Sequence, residues 1–152
     1  MTNAVLREPG CELCNLAAPM TVYADSKLSV IIVDDANYPG FCRVVWRDHV
    51  REMSDLSAED RLLLNEAVYE VELAVREVMK PSKVNVASLG NVVPHLHWHV
   101  IPRYTDDAHF PAPVWAAAVR QTEESTLAAR RALLPELADA LFNAFARRMN
   151  QG

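Results

Sequence analysis

Residues 95–103 read His-Leu-His-Trp-His-Val-Ile-Pro-Arg. Successive side chains on a β-strand point to opposite faces. Read as a strand over residues 95–102, the stretch puts His95, His97 and His99 on one face and Leu96, Trp98 and Val100 on the other. The second set is apolar and suited to lie against a core. The first set gathers three of the chain's five histidines. An imidazole can act near neutral pH as nucleophile, acid, base or metal ligand. Three in alternation suit chemistry at phosphorus: a neutral ring attacks, while a protonated neighbour steadies the phosphoryl oxygens and gives the leaving group a proton. The same alternation also suits three ligands on one metal ion, and a merely solvated strand face is the plainest alternative.

Upstream, residues 83–87 read as a short strand and residues 88–94, with Gly90, as a loop. Residues 57–80 carry the clearest helical pattern, with Leu64, Val68, Val71, Val75 and Val78 at the 4-3-4-3 spacing of one buried face. Ser57 is a suitable N-cap, Glu59 and Asp60 sit where carboxylates meet the positive helix end, and Pro81 stops the helix. Residues 21–24 and 28–33 predict a hairpin turning at Asp25-Ser26-Lys27. Residues 34–40 predict a loop and residues 41–46 the next strand. Residues 1–19, with Pro9, Gly10 and Pro19, read as irregular. Beyond the histidines, residues 104–115 are rich in Asp and Pro, and residues 123–149 form a second helical stretch around Pro135. In that stretch Leu134, Leu137, Leu141, Phe142 and Phe145 make an apolar stripe, with Arg147 and Arg148 near the negative helix end. Strands, one long helix, more strands and a C-terminal helix make an α+β domain on an antiparallel sheet. The expected organisation is a main domain over residues 1–118, with residues 119–152 as a helical extension packed on it.

The chain's 152 residues suit one core, and 51% hydrophobic with 23% charged residues is ordinary for a globular chain. No apolar run reaches the length of a membrane-spanning helix, and the N-terminus lacks a basic start followed by an apolar stretch. A cytoplasmic protein without a membrane partner is expected. A net charge of −5 argues against a general binder of nucleic-acid polymers, but a few local cations can still hold one small phosphorylated substrate. The three cysteines, Cys11, Cys14 and Cys42, are an odd set and argue against a disulfide framework.

The run from His95 to Ile101 matches the pattern His-x-His-x-His followed by two apolar residues, and so resembles the histidine triad (HIT) family. Pro102-Arg103 is similar to the continuation in Fhit-like and many bacterial members, the diadenosine polyphosphate hydrolases among them. Residues 28–34, Tyr38-Pro39-Gly40 and Asp48-His49-Val50 look like further family elements, so that the resemblance spans roughly residues 11–115. It implies a HIT-like fold, with one long helix packed on the sheet. It implies that His97 is the nucleophile, that His99 contacts the α-phosphate and assists the leaving group, and that His95 orients the site or serves a metal. By the same resemblance Asp34 holds the ribose hydroxyls, Asn85 and Asn91 contact the nucleotide, and Arg103 supplies positive charge. Two positions depart from the family pattern: Phe41 stands where many relatives have histidine, and Val92 where a serine or threonine is frequent.

Cys11-Glu12-Leu13-Cys14 alone is a weak signal, since zinc prefers four thiolate and imidazole ligands. The resemblance supplies the other pair. Some branches of the family place zinc between two cysteines, an upstream histidine and the first histidine of the triad, here Cys11, Cys14, His49 and His95. The implied activity is hydrolysis of a dinucleoside polyphosphate or a nucleoside phosphoramidate through a nucleotidyl-histidine, with release of a nucleoside monophosphate. The histidines carry that chemistry without a cofactor, and zinc is structural. Nucleotidyl transfer to another phosphate, or nucleotide binding with little turnover, are the alternatives. The expected partners are a small nucleotide and a second copy of the chain in a homodimer.

Overall fold

Asp25 makes the first turn of the sheet. Its Oδ1 accepts hydrogen bonds from the amides of Lys27 (2.7 Å) and Leu28 (2.9 Å), and its own amide donates to the Leu28 carbonyl. The turn joins β1 (Thr21–Ala24) to β2 (Leu28–Ile32), as the hairpin signal predicts. This computed structural model describes residues 4–16 and 20–149. Pro19, in the irregular N-terminal stretch, and residues 150–152, at the end of the C-terminal extension, lie outside the described residues.

β2 pairs with β3 (Cys42–Trp46), β3 with β5 (His97–Arg103), and β5 with β4 (Lys83–Ala87). Every pairing is antiparallel, and the strand order is β1-β2-β3-β5-β4. The loop from β2 to β3 ends at Gly40, whose φ of +92° and close approach to Met79 leave no room for a side chain: a Cβ there would lie 2.9 Å from Met79 Cγ.

One face of the sheet carries the helices. The Ser57 hydroxyl caps α1 (Ala58–Met79) by accepting from the Asp60 amide at 3.1 Å. The helix ends at Lys80, in the left-handed conformation, just before Pro81. Its buried stripe of Leu64, Val68, Val71, Val75 and Val78 packs on Val30, Val44, Leu96 and Val100 of the sheet layer. After α2 (Glu124–Arg131), α3 (Leu134–Met149) lies against α1 and β1. There Phe145 stacks on Tyr23 with ring centroids 4.9 Å apart. Pro135 falls in the first turn of α3, where its missing amide hydrogen has no partner to lose. No helix among the described residues is long and apolar enough to cross a membrane.

The other face is covered by loops rather than helices. Leu13, from the N-terminal segment, packs on Ile31 and Val45. Val114, from the long loop after β5, packs with Tyr38, Phe41 and Ile101. A cleft stays open between these two patches.

One expectation is corrected here. The last strand begins at His97, not at His95. Pro94 has no amide hydrogen to give a ladder, and the His95 amide turns back to the Val93 carbonyl at 2.8 Å. Leu96 keeps sheet-like bonds to Trp46 and Val50, but His95 stands outside the strand. β5 therefore presents two of the three imidazoles.

Candidate active site

His97 and His99 project from β5 on the loop-covered face, with ring centroids 4.8 Å apart. His97 Nδ1 lies 2.5 Å from the backbone oxygen of His95. A carbonyl oxygen only accepts, so Nδ1 is the nitrogen that holds the proton and Nε2 keeps a free lone pair. The His99 ring is set edge-on to both Phe41 and Trp115, with centroids 5.6 and 5.1 Å away. Both histidines are buried. Burial pushes their pKa values down; the charge of Arg43 lowers both further, and His97 also lowers His99, which reaches about 4. Burial thus favours the neutral form of both rings in the free site.

The cleft over these rings has a volume of about 670 Å³, within the range of small-molecule sites. Glu12 and Leu13 line it from the N-terminal segment, Asn91 and Val92 from the loop before β5, and Trp115 from the loop after it. Asn91 thus joins the histidines as expected. Asp34 is exposed two residues beyond β2 and is not part of the cleft lining.

Arg103 and Asn85, expected to contact the nucleotide, are placed outside the cleft lining. Arg103 is 2% exposed. Its Nε donates to Asp107 Oδ2 at 2.8 Å, its Nη1 to Asn85 Oδ1 at 2.6 Å, and its Nη2 to the Ala112 carbonyl at 2.6 Å and Asp107 Oδ1 at 3.1 Å. Asp107 also accepts from the amides of Tyr104, His109 and Phe110 and from the Tyr38 hydroxyl. Burial alone would raise the pKa of this carboxyl. The Arg103 ion pair and the amide donors outweigh it and hold the group below the usual carboxylate range. His109 belongs to the same network through its Nδ1 contact with the Tyr38 hydroxyl at 2.6 Å. This web fixes the loop that carries Trp115.

The cysteine pair meets two histidines, as expected. Cys14 Sγ lies 3.4 Å from Nδ1 of both His49 and His95, and Cys11 Sγ lies 3.5 Å from His95 Nδ1. The four ligand atoms all fall within 4.8 Å of one another. Zinc–sulfur and zinc–nitrogen bonds of about 2.3 and 2.0 Å set tetrahedral edges of roughly 3.5 Å, so the cluster fits the ion. A second observation supports the fit. His95 Nε2 lies 2.5 Å from the Trp46 carbonyl, so the proton sits on Nε2 and the Nδ1 lone pair faces the sulfurs. Burial pushes the pKa of this ring down, toward the neutral form a metal ligand needs. Cys42 is buried in the core, and its thiol is pushed up to about 12.

Two residues at the site escape sequence reading. Arg43 lines the cleft from β3, and its only sequence signal is a charge inside the apolar run Cys42-Arg43-Val44-Val45-Trp46. Trp115 is brought in by a loop, and nothing local in its sequence announces that placement.

Comparison with known proteins adds to this geometry. The family model described as "HIT domain" matches residues 17–106, more than half of the chain. An uncharacterized HIT-like protein of Saccharolobus solfataricus is 26% identical over 106 residues, covering 64% of this chain and 76% of its own length. The crystal structure of a histidine triad protein from Bradyrhizobium japonicum is 30% identical, covers 85% of this chain and 96% of its own, and superposes with a TM-score of 0.66. A zinc-bound histidine triad family protein from Mycobacterium smegmatis shares the fold at 20% identity and a TM-score of 0.57, covering 86% of this chain and 97% of its own. On the family match and this shared architecture, the chain belongs to the HIT domain family.

Proposed function

We propose that the protein is a nucleotide-phosphate hydrolase of the dinucleoside polyphosphate or nucleoside phosphoramidate type, working through a nucleotidyl-histidine. The observation that carries this reading is the bond from His97 Nδ1 to the His95 carbonyl, which leaves Nε2 as an unprotonated nucleophile in the cleft lining. In the first step Nε2 attacks the α-phosphorus. The phosphorus–nitrogen bond forms as the bond to the leaving group breaks, and the leaving group takes a solvent proton relayed by the neutral His99 ring, a proton that the water consumed in the second step returns to solvent. In the second step water adds to phosphorus, the phosphorus–nitrogen bond breaks, a nucleoside monophosphate departs, and the proton spent in the first step is restored. Asn91 contacts the phosphate or its bridging atom, and Asp34 receives the ribose hydroxyls.

The reading includes a structural zinc held by Cys11, Cys14, His49 and His95, supported by the fit of those four ligands and by the zinc-bound relative of M. smegmatis. It also includes a twofold dimer, because β4 is an open sheet edge in the single chain and an open edge is a template for a second copy.

Rapid quench with a nucleotide labelled at the α-phosphate tests the mechanism. A labelled adduct on His97, absent from His97→Asn, is expected. Absence of any adduct together with unchanged turnover in His97→Asn defeats the proposal.

A further inference from the structure

Arg43 is the sole cation among the residues lining the cleft. It stands in β3 directly across from His99 in the antiparallel register. The flank of its guanidinium lies 5.7 Å from the Phe41 ring. Its Nε is buried without a hydrogen-bond partner, and no ion pair among the described residues includes it. His99 Nδ1, on the facing strand position, is also buried and unpartnered. Arg43 is half-buried, and a guanidinium whose Nε is withdrawn from water favours a hydrogen-bond acceptor or counter-ion there. Glu12 lines the cleft and, with Asp35, attracts the Arg43 charge from a distance, but Glu12 is exposed and neither carboxylate forms an ion pair with Arg43 among the described residues. Arg103 is closed off by Asp107 and Asn85. The occupant that satisfies this arrangement is an anion, and the planar guanidinium fork matches two oxygens of a phosphate.

We propose that Arg43 receives the substrate's phosphate, donating to its non-bridging oxygens beside His97 and His99. This deepens the nucleotidyl-histidine reading and rests on it. It supplies a fixed positive charge in the cleft, since a guanidinium keeps its charge at any working pH. It also assigns a task to a position in β3 that the triad pattern does not cover. As the phosphorus–nitrogen bond forms, charge gathers on the non-bridging oxygens, and a donor already in place stabilises it without reorganising.

The test compares wild type with Arg43→Met and Arg43→Lys, each checked for folding by circular dichroism and melting. Inorganic phosphate is titrated by calorimetry, and turnover is measured with a nucleoside phosphoramidate. Arg43→Met is expected to abolish detectable phosphate binding and to lower kcat/KM by roughly 10²–10³-fold. Arg43→Lys should recover part of the binding, because charge returns without the fork. Arg43→Met that is folded, binds phosphate as wild type does and turns over within about threefold of it overturns the proposal. A variant-free readout stands beside this one. In ¹⁵N-labelled wild type, the Arg43 Nε–H resonance should shift as phosphate is added. A shift in the His99 ring without one in Arg43 also overturns it. Because phosphate binding is read directly, loss of the His97 adduct would sink the hydrolase mechanism while leaving the Arg43 result to stand or fall separately.

Discussion

His97 is aimed by the backbone of His95: the 2.5 Å bond from His97 Nδ1 ends on a carbonyl oxygen, not on the His95 side chain. The two residues of the motif are therefore coupled through the main chain, while the His95 ring serves a different centre, between Trp46 and the two cysteines. The separation has measurable consequences.

His97→Asn should lower kcat by roughly 10⁴-fold or more, because the nucleophile itself is lost. His95→Asn keeps the carbonyl that orients His97 and removes a ring from the cysteine cluster. It should cost far less in kcat while lowering both metal content and melting temperature. Parallel measurement of turnover, zinc and Tm separates the two roles. Equal losses of kcat in the two variants contradict the division.

Protein purified without chelators should carry about one zinc per chain, since four ligands close one tetrahedral site. Cys14 touches both histidines of the cluster, so Cys14→Ser should empty it and lower Tm by on the order of 10 °C. Elemental analysis and calorimetry check this. A metal-free wild type with the same Tm as Cys14→Ser speaks against the site.

His99 has a folded pKa near 4, depressed mainly by burial, against an ordinary value of about 6.5. Its contribution to stability is therefore fully present above pH ~6.5 and is lost as pH falls toward 4. Titration of the His99 ring by NMR should show a midpoint near 4, while the melting temperature declines across the same interval. A midpoint above 6 contradicts the burial argument.

Removing one partner of a buried ion pair strands the other, at a cost of about 3–5 kcal/mol. Asp107→Ala leaves Arg103 in that state and also frees three backbone amides, so a loss at the upper end of this range is expected in denaturant unfolding. The wild-type carboxyl titrates below the usual carboxylate range. Its stabilisation is thus intact above pH ~4 and lost only as pH drops below that. Asp107→Asn should flatten that acid limb. Wild-type stability in Asp107→Ala would show that Arg103 needs no counter-charge.

Periodicity made most of the fold legible. The apolar run at residues 28–32, the alternating histidines and the one-faced helical stripe from Leu64 to Val78 all reflect burial, which a sequence records directly. The departure of His95 from the strand was harder to read, because the pattern His-x-His-x-His continues through it while Pro94 and a turn to Val93 break the ladder. Arg103 looked like a free cation because its partner lies four residues on, inside a loop without periodicity. Arg43 gave no motif, since its placement depends on cross-strand register with His99, a long-range fact. Asn91 was expected at the site by resemblance alone, and it lines the cleft. The meeting of Cys11 and Cys14 with His49 and His95 followed from resemblance, not from any local rule.

Cys11 and Cys14 bracket Glu12 and Leu13, and those two residues form a wall of the cleft. That wall is not a strand; it is a short loop anchored beside two imidazoles by its sulfurs. Thiol chemistry and substrate chemistry thus share a partition. Oxidation or alkylation of these thiols acts on that side of the binding pocket through Glu12 and Leu13, not through His97 or His99. Such modification is expected to show first as weaker substrate binding, which a comparison of KM with kcat checks.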